Sequence, residues 1–339
     1  MTGRERVKRA LEFRSPDRAP RDLWALPAVE LTQKREYDEV IRDFPPDIGK
    51  PYASPGQSAA AADRYNRIGT YRDEWGSLWE VAEPGVVGEV KAPAIADWSE
   101  LPKFQLPWGL IRGRDLAPVD AQCERESLYM LSDCTARPFE RMQFLRGTEN
   151  LFLDLAWRPK ELDTLRDMVH EFYLEDIAQW CRTAVDGVLM MDDWGTQQAL
   201  LISPDTWREF FKPMYRDYCD LIRKAGKAVF FHSDGFIEAV YGDLIEVGVN
   251  ALNSQLFCMD IEGLAKRYKG RVTFWGELDR QHILPFGTPD EVRTAVRRVR
   301  RALDDGRGGL IAQCEWGKNN PAENIRAMYQ AWAEPGVRP

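Results

Sequence analysis

The second half of the chain alternates short apolar runs with long amphipathic stretches. The apolar runs predict strands at residues 128–131, 188–191, 228–231, 249–252, 272–275 and 309–312. Helical periodicity fills the intervals, most clearly at residues 138–145, 159–184, 261–268 and 289–303. Strands that are apolar at every position are typical of a parallel sheet covered on both faces. The pattern therefore predicts repeated strand–helix units, the signature of an α/β fold.

The first half of the chain is less regular. Residues 4–13 predict a short helix, residues 18–24 a first strand and residues 65–70 a second strand. Residues 73–91 resemble an inserted β-hairpin, and residues 97–112, rich in proline and tryptophan, a surface excursion. About eight parallel strands result, the number that closes a (β/α)8 TIM barrel. We predict one domain over residues 1–339, an α/β (β/α)8 barrel with the hairpin and excursion inserted in its N-terminal third.

Local signals support these elements and leave one alternative fold. Ser203-Pro204 and Thr288-Pro289 place a hydroxyl N-cap before a proline, which marks the start of a helix. The alternative is an open, doubly wound sheet. Its commonest dinucleotide-binding form carries Gly-x-Gly-x-x-Gly after the first strand, and that motif is absent from the sequence.

Composition excludes several classes of protein. The 339 residues include 46 Lys plus Arg and 54 Asp plus Glu, a net charge of -8, which argues against general nucleic-acid binding. No stretch approaches the roughly 18 apolar residues of a membrane span. The N-terminus is charged and lacks the apolar region of a signal peptide. Six cysteines show no Cys-x-x-Cys pairing, so we expect free thiols in a cytoplasmic protein.

Polar residues cluster just after the predicted strands, at positions that a barrel would bring to one mouth, the C-terminal ends of its strands. His232 and Asp234 point the same way from an extended strand because they are two residues apart. Cys314 ends the last strand, which lies near them once the barrel closes. Imidazole, carboxylate and thiolate are plausible zinc ligands with a fourth position left open. The alternative is that His232 only hydrogen-bonds Asp234 and binds no metal.

Asp192 and Asp193 form the second polar constellation. Adjacent residues at a strand end face opposite directions, so only one of them can point into the mouth, and the other is expected to cap the next helix. We favour Asp193 for the mouth, with the amide of Gln197 four residues later. A carboxylate there binds substrate or acts as a general acid or base. Tryptophans beside polar residues, Trp24, Trp75, Trp194 and Trp316, are either pocket walls or ordinary packing residues.

Several motifs together resemble the uroporphyrinogen decarboxylase superfamily, in particular its branch of zinc-dependent corrinoid methyltransferases. The resemblance extends almost from end to end and implies a barrel fold. It is carried by Arg4-Glu5-Arg6-Val7, Pro16-Asp17-Arg18-Ala19-Pro20, Asp73-Glu74-Trp75-Gly76, Gly85-Val86-Val87-Gly88, Asp192-Asp193-Trp194-Gly195-Thr196-Gln197, Ile202-Ser203-Pro204, His232-Ser233-Asp234-Gly235, Leu284-Pro285-Phe286-Gly287-Thr288-Pro289 and Pro321-Ala322-Glu323-Asn324.

Two departures from the family pattern refine what the resemblance implies. The decarboxylases bind porphyrinogen carboxylates with arginines in a Phe-Arg-Gln-Ala-Gly-Arg stretch, whereas residues 24–30 contain no arginine here. A porphyrinogen substrate is therefore not expected. The methyltransferases bind zinc through His-x-Cys and a later cysteine. His232 and Cys314 match, but Asp234 replaces the first cysteine. Gln255 lies near the position of an additional oxygen ligand.

The resemblance implies a zinc-dependent methyltransferase. It would move a methyl group between a small methylated substrate, a corrinoid carrier on a partner protein and an acceptor. The expected metal ligands are His232, Asp234 and Cys314, and the expected catalytic residues are Asp193 and Asp279. The expected substrate contacts are Trp24, Trp75, Gln197, Gln255, Gln281 and Trp316.

Two alternatives remain open. One is a metal-free decarboxylase or lyase that acts on a small carboxylate with Asp193 or Asp279 as its acid. The other is a barrel that binds a ligand without turnover. A homodimer is compatible with the sequence, which does not define the oligomeric state.

Overall fold

The computed structural model describes residues 1–53, 67–86 and 88–335. Its strands are β1 (Arg21–Ala25), β2 (Ile48–Gly49), β3 (Gly69–Arg72), β4 (Leu78–Val81), β5 (Glu89–Ala92), β6 (Tyr129–Cys134), β7 (Gly187–Met191), β8 (Ala228–Ser233), β9 (Ala251–Ser254), β10 (Thr273–Trp275) and β11 (Leu310–Trp316).

Helices connect the strands and form the outer layer. They are α1 (Gly3–Leu11), α2 (Pro27–Thr32), α3 (Lys34–Asp43), α4 (Gly109–Arg112), α5 (Ala117–Arg125), α6 (Pro138–Arg146), α7 (Thr148–Trp157), α8 (Lys160–Cys181), α9 (Pro204–Phe210), α10 (Lys212–Lys224), α11 (Glu238–Val247), α12 (Ile261–Tyr268), α13 (Ile283–Phe286), α14 (Pro289–Leu303) and α15 (Ala322–Ala333). None in the described part of the chain combines the length and apolar character that crossing a bilayer needs.

Eight parallel strands form a nearly closed barrel, so the (β/α)8 prediction is confirmed. They lie in the order β1-β11-β10-β9-β8-β7-β6-β2, with the first strand beside the last. A doubly wound sheet would instead reverse its strand order. Strands β1 and β2 form no ladder with each other in the described residues, and we call this gap the seam. The Asp47 N–H donates to the Arg21 carbonyl at 2.8 Å at one end of the seam.

The predicted hairpin is confirmed as β4 and β5, to which β3 adds a third antiparallel strand. The predicted second barrel strand is wrong, because residues 69–72 belong to this small sheet and β2 occupies that place in the barrel. Only two residues long, β2 is too short to produce an apolar run. Residues 65 and 66 of the predicted strand, and residue 87 of a family motif, lie outside the described residues.

Alternate residues of each strand face opposite sides of the barrel wall. Leu189, Phe230, Trp275 and Ile311 belong to the core inside the barrel. Their neighbours along the strands belong to the core between barrel and helices, among them Met190, Phe231, Phe274 and Ala312. Since side chains alternate with a period of two, residues 193, 232, 253, 277, 313 and 315 share the inward side.

At the N-terminal end of the barrel, Asp47 joins the segments around the seam. Its buried carboxylate accepts hydrogen bonds from Arg6 at 2.5 Å, from Arg18 at 2.6 and 3.2 Å, and from the Arg21 N–H at 2.7 Å. Both carboxylate oxygens are therefore satisfied by two donors each. This end of the barrel is built from a complete ion-pair network.

Candidate active site

Three polar side chains meet at the mouth of the barrel. Asp193 follows β7, His232 lies in β8 and Asp234 follows β8, and one ligand atom from each lies within 4.8 Å of the others. The Nε2 atom of His232 is 3.5 Å from Asp193 Oδ1 and 3.3 Å from Asp234 Oδ1. The Asp234 N–H also donates to Asp193 Oδ1 at 3.0 Å. We call these residues the Asp–His–Asp triad.

Asn253 on β9 fixes the orientation of the His232 ring. The Asn253 amide nitrogen donates to the Trp275 carbonyl and, at 2.9 Å, to Gln313 Oε1. Its oxygen is therefore the acceptor that faces His232 Nδ1 at 2.5 Å. With a proton on Nδ1, the Nε2 atom is directed at the two carboxylates. The Trp24 ring, 5.1 Å from the imidazole between centroids, covers the ring from β1.

The charges of the triad are strongly coupled. Burial opposes a charge on His232, but the hydrogen bond to Asp234 and the charges of Asp234 and Asp193 raise its pKa to about 10. Burial alone would raise the pKa of Asp234, yet His232 and Arg280 lower it to about 2. Without a metal ion, the triad is thus an imidazolium beside two carboxylates.

Arg280 connects the triad to a second group of acids. It contacts Asp234, pairs with Glu315 Oε1 at 2.5 Å and lies 3.6 Å from Glu277 Oε2. Glu277 is 2% exposed, and within the described ranges neither of its carboxylate oxygens has a hydrogen-bond partner. Burial raises the pKa of Glu277 to about 7, although Arg280 opposes the rise. This carboxyl can therefore hold or release a proton near neutral pH.

Two glutamines lie beside Asp234. Gln255 donates to Asp234 Oδ1 at 3.4 Å, and its oxygen accepts from Gln197 at 3.1 Å and from the Gly235 N–H at 3.1 Å. The Cys258 thiol donates to Gln197 Oε1 at 3.0 Å. The structure therefore places both predicted amides at the mouth, where they can contact a substrate.

Cys314 lies outside the triad, so the three expected metal ligands do not form one group in the structure as described. Within the described residues, the group with metal-ligand spacing contains Asp193 instead. Cys314 alternates with the inward Gln313 and Glu315, so it packs in the outer core, fully buried. Burial raises the pKa of its thiol well above the ordinary value. The period of two along β11 is the physical reason for the difference.

The two adjacent aspartates point in opposite directions. Asp192 accepts hydrogen bonds from the Phe139 N–H at 2.7 Å, the Glu140 N–H at 2.8 Å and the Tyr215 hydroxyl at 2.6 Å. It therefore caps α6, the helix that follows β6, rather than the helix after its own strand. Asp193 faces the mouth, and its side chain is 41% exposed.

Of the remaining predicted residues, Asp279 and Gln281 line a small cavity with Gln255 and Arg280, both of which contact Asp234. Asp279 accepts from the Gln281 and His282 N–H groups, both at 2.9 Å, so its carboxylate closes a turn before α13. Gln281 is exposed on the rim. Trp75 and Trp316 are buried, and Trp316 donates to the Asn320 carbonyl at 3.0 Å.

Sequence reasoning did not select Asn253, Glu277, Arg280 or Glu315 as site residues, although all of them follow predicted strands. The signal that could have identified them is their alternation with apolar residues. Gln313 and Glu315, for example, are the two polar residues inside the otherwise apolar run of β11. A polar pair at i and i+2 in such a strand indicates the inward face.

Comparison with solved structures supports the barrel fold. A methyltransferase from Methanosarcina mazei aligns with a TM-score of 0.70 and 15% identity over 98% of this chain and 99% of that one. A GH10 endo-β-1,4-xylanase from Gloeophyllum trabeum reaches 0.47, with 10% identity over 94% of this chain and 97% of that one. The latter score is too low to support an argument.

Comparison of sequences gives the family. No curated protein matches the chain. Residues 131–334, which begin within β6 and include β7 to β11 and every member of the Asp–His–Asp triad, match the family "Uroporphyrinogen decarboxylase (URO-D)". The match covers more than half of the 339 residues. The chain belongs to the uroporphyrinogen decarboxylase family.

Proposed function

We propose that the protein is a metal-dependent methyltransferase whose Asp–His–Asp triad binds zinc. The observation that carries the proposal is the convergence of three ligand atoms within 4.8 Å at the mouth. The family match and the similarity to a structure named as a methyltransferase support it. The substrate would be a small methylated compound, and the methyl carrier a corrinoid on a partner protein.

The chemistry of the donor set fits zinc. Imidazole nitrogen and carboxylate oxygen are both ordinary zinc ligands, and three protein ligands leave a position for substrate or water. Asn253 holds a proton on His232 Nδ1, which leaves the Nε2 lone pair for an ion once the imidazolium loses its proton. Metal-ligating histidines usually donate their other ring N–H in this way. The ligand set differs from the expected one because Asp193 takes the place of Cys314.

When bound, zinc would supply Lewis acidity that polarises a substrate oxygen. The chain's own residues bind and orient the reacting groups. Asn253 keeps the imidazole in one orientation, and the amides of Gln197 and Gln255 offer hydrogen bonds beside Asp234. The Trp24 ring excludes water from one side of His232. Glu277, with a pKa of about 7, can hold a proton near Arg280 and Asp234.

Metal analysis of protein purified without chelator tests the zinc site. We expect zinc in the wild type, its loss in Asp193→Ala and His232→Ala, and its retention in Cys314→Ala. A folded wild-type protein without zinc contradicts the proposed site, and so does a His232→Ala variant that keeps its zinc.

Methyl transfer has a separate test that needs no knowledge of the natural substrate. The wild type should accelerate demethylation of methylcobalamin by a simple thiol such as 2-mercaptoethanol, followed by the change in corrinoid absorbance. The Asp193→Ala variant should lose this activity. No acceleration by zinc-loaded wild type contradicts the transfer of methyl groups to or from a corrinoid.

The second candidate function is a metal-free decarboxylase or lyase that acts on a small carboxylate. It is favoured by the ionic balance of the triad, in which a His232 imidazolium already satisfies two carboxylates without any ion. In this case activity survives chelation and disappears in Asp193→Asn. Under the zinc proposal, chelation abolishes activity in the wild type.

A further inference from the structure

A cavity of about 400 Å³ lies between the N-terminal excursion and the end of β6. We call it the arginine cavity, because its walls carry Arg114, Arg137 and Arg141. The same walls contain Trp75, Leu110 and Phe172, so one side of the cavity is apolar. A mostly apolar concavity with a few charged groups is the usual form of a small-molecule site.

Two of the three arginines face an aspartate of the protein. Arg114 is paired with Asp176, which is also buried. Arg141 lies 3.5 Å from Asp73 Oδ2, and its guanidinium stacks 4.4 Å from the centre of the Trp75 ring. These side chains build the cavity wall, and each already has a carboxylate nearby, although the buried Arg114 Nε has no hydrogen-bond partner among the described residues.

Arg137 differs from the other two. Its terminal nitrogen donates to the sulfur of Met191 at 2.5 Å, and its Nε lies 3.4 Å from Glu140 Oε2. Among the described residues, this buried Nε has no hydrogen-bond acceptor, and Glu140 Oε2 has no hydrogen-bond donor. A thioether is a weak acceptor, whereas a guanidinium presents five N–H donors that match a carboxylate. Arg137 is therefore ion-paired with Glu140, but among the described residues none of its side-chain N–H groups hydrogen-bonds an oxygen.

The arginine cavity adjoins the triad. Arg137 and Glu140 lie at the start of α6, whose first N–H groups are capped by Asp192, the neighbour of Asp193. Burial raises the pKa of Glu140; Arg137 opposes that rise, and Asp193 adds to it. The pKa of Glu140 thus depends both on Arg137 in the cavity wall and on Asp193 in the triad. The start of α6, which carries Arg137, is thus linked to the triad through the adjacent residues Asp192 and Asp193.

We propose that the arginine cavity binds the carboxylate of a small organic acid, with Arg137 as its anchor and the apolar wall covering its body. Asp133 and Asp176 also line the cavity, so a dianionic phosphate is disfavoured relative to a planar monoanion. In the proposed function, on which this assignment of substrate class rests, the methylated substrate would carry this carboxylate.

Binding of benzoate and of its neutral isostere benzamide tests the inference. Isothermal titration calorimetry on chelator-treated and on zinc-loaded protein should show that benzoate binds at least about tenfold more tightly than benzamide. The reason is that benzoate accepts a charge-assisted hydrogen bond from Arg137, whereas the neutral benzamide does not. Arg137→Gln should remove this preference, and Arg137→Lys, which keeps the charge but loses the fork, should reduce it. Arg112→Gln is the matched control, since Arg112 stacks on Trp108 and pairs with the half-buried Glu175 outside the cavity lining.

Equal binding of the two probes overturns the inference, and so does an Arg137→Lys variant that folds and keeps the full preference. Zinc is measured in the same samples. A wild type that lacks zinc but prefers benzoate contradicts the proposed function alone. A wild type that binds zinc without any preference for benzoate contradicts the carboxylate site alone.

Discussion

The two ends of the barrel both bury charged groups, but they differ in how far the hydrogen bonds of these groups are satisfied. At the N-terminal end, Asp47 receives four hydrogen bonds from two arginine side chains and a backbone N–H. At the mouth, neither oxygen of the buried Glu277 has a hydrogen-bond partner in the described part of the chain, and its nearest cation, Arg280, is 3.6 Å away. A satisfied network stabilises the fold, whereas unsatisfied groups cost stability and are retained where they bind or react.

The largest expected effect is at the satisfied end. Asp47→Ala leaves Arg6 and Arg18 without their shared partner, and removing one member of a buried ion pair costs about 3–5 kcal/mol. Urea denaturation should show this loss in the free energy of unfolding. Asp38→Ala, which breaks the exposed pair with Lys34 on α3, is the control and should cost no more than about 0.5 kcal/mol. A similar small loss for both variants would show that the Asp47 network is not structural.

At the mouth, Glu277→Gln should change the pH dependence of stability. The pKa of Glu277 is raised from 4.5 to about 7, so the folded state binds its proton more tightly than the unfolded state. The resulting stabilisation is present below the unfolded pKa and is lost as pH rises through 7. Relative to Glu277→Gln, the metal-free wild type should lose on the order of 3 kcal/mol between about pH 4.5 and pH 7. Parallel stability curves for the two proteins would contradict the buried, unpartnered state of Glu277.

A smaller effect is expected from the residue that orients His232. Asn253→Ala should weaken zinc binding about 10- to 100-fold, because the imidazole loses the acceptor that fixes its orientation. Competition with a chromophoric chelator measures the change. Asn250→Ala is the control, since Asn250 Oδ1 accepts from the Val229 N–H at the far end of the same strands. Equal zinc affinity in all three proteins would argue against His232 as a ligand.

The smallest effect is expected from Cys314→Ala. Loss of this outward-facing thiol should lower the free energy of unfolding by about 1 kcal/mol, as is usual for a substitution at a buried position, and should leave the zinc content unchanged. Cys219→Ala, another buried thiol of the outer core, should behave alike in both measurements. Loss of zinc in the Cys314 variant alone would return this residue to the ligand set.

Continuous apolar runs made most of the barrel predictable. Strands β6 to β11 coincide with such runs, and Ser203 and Thr288 cap their helices as expected, each accepting a hydrogen bond from an N–H three residues later. The two-residue β2 was not predictable, because its pairing with β6 depends on the surrounding chain rather than on its own sequence.

The strands that carry the site were predictable, but the side of the barrel wall that each side chain faces was not. In a strand that is apolar on both sides, the sequence does not show which parity faces inward, and a one-residue error exchanges Cys314 for Gln313 or Glu315. Because adjacent residues face opposite directions, only one of Asp192 and Asp193 was expected to face the mouth, and Asp193 was the one selected. Arg137 was not predictable for another reason: it precedes a predicted helix, and its lack of an oxygen acceptor among the residues that the structure describes depends on the folded neighbourhood.

The seam also determines where the barrel wall can deform. In the strand order, β8 and β9 lie on the far side from the gap and are held by parallel ladders on both flanks. The spacing of His232 and Asn253 is therefore set by the stiffest part of the wall. Trp24 lies on β1, whose free edge borders a cavity of about 320 Å³ at the gap. Any widening of the cylinder would thus lift the indole from the imidazole while leaving the histidine and its amide partner in place.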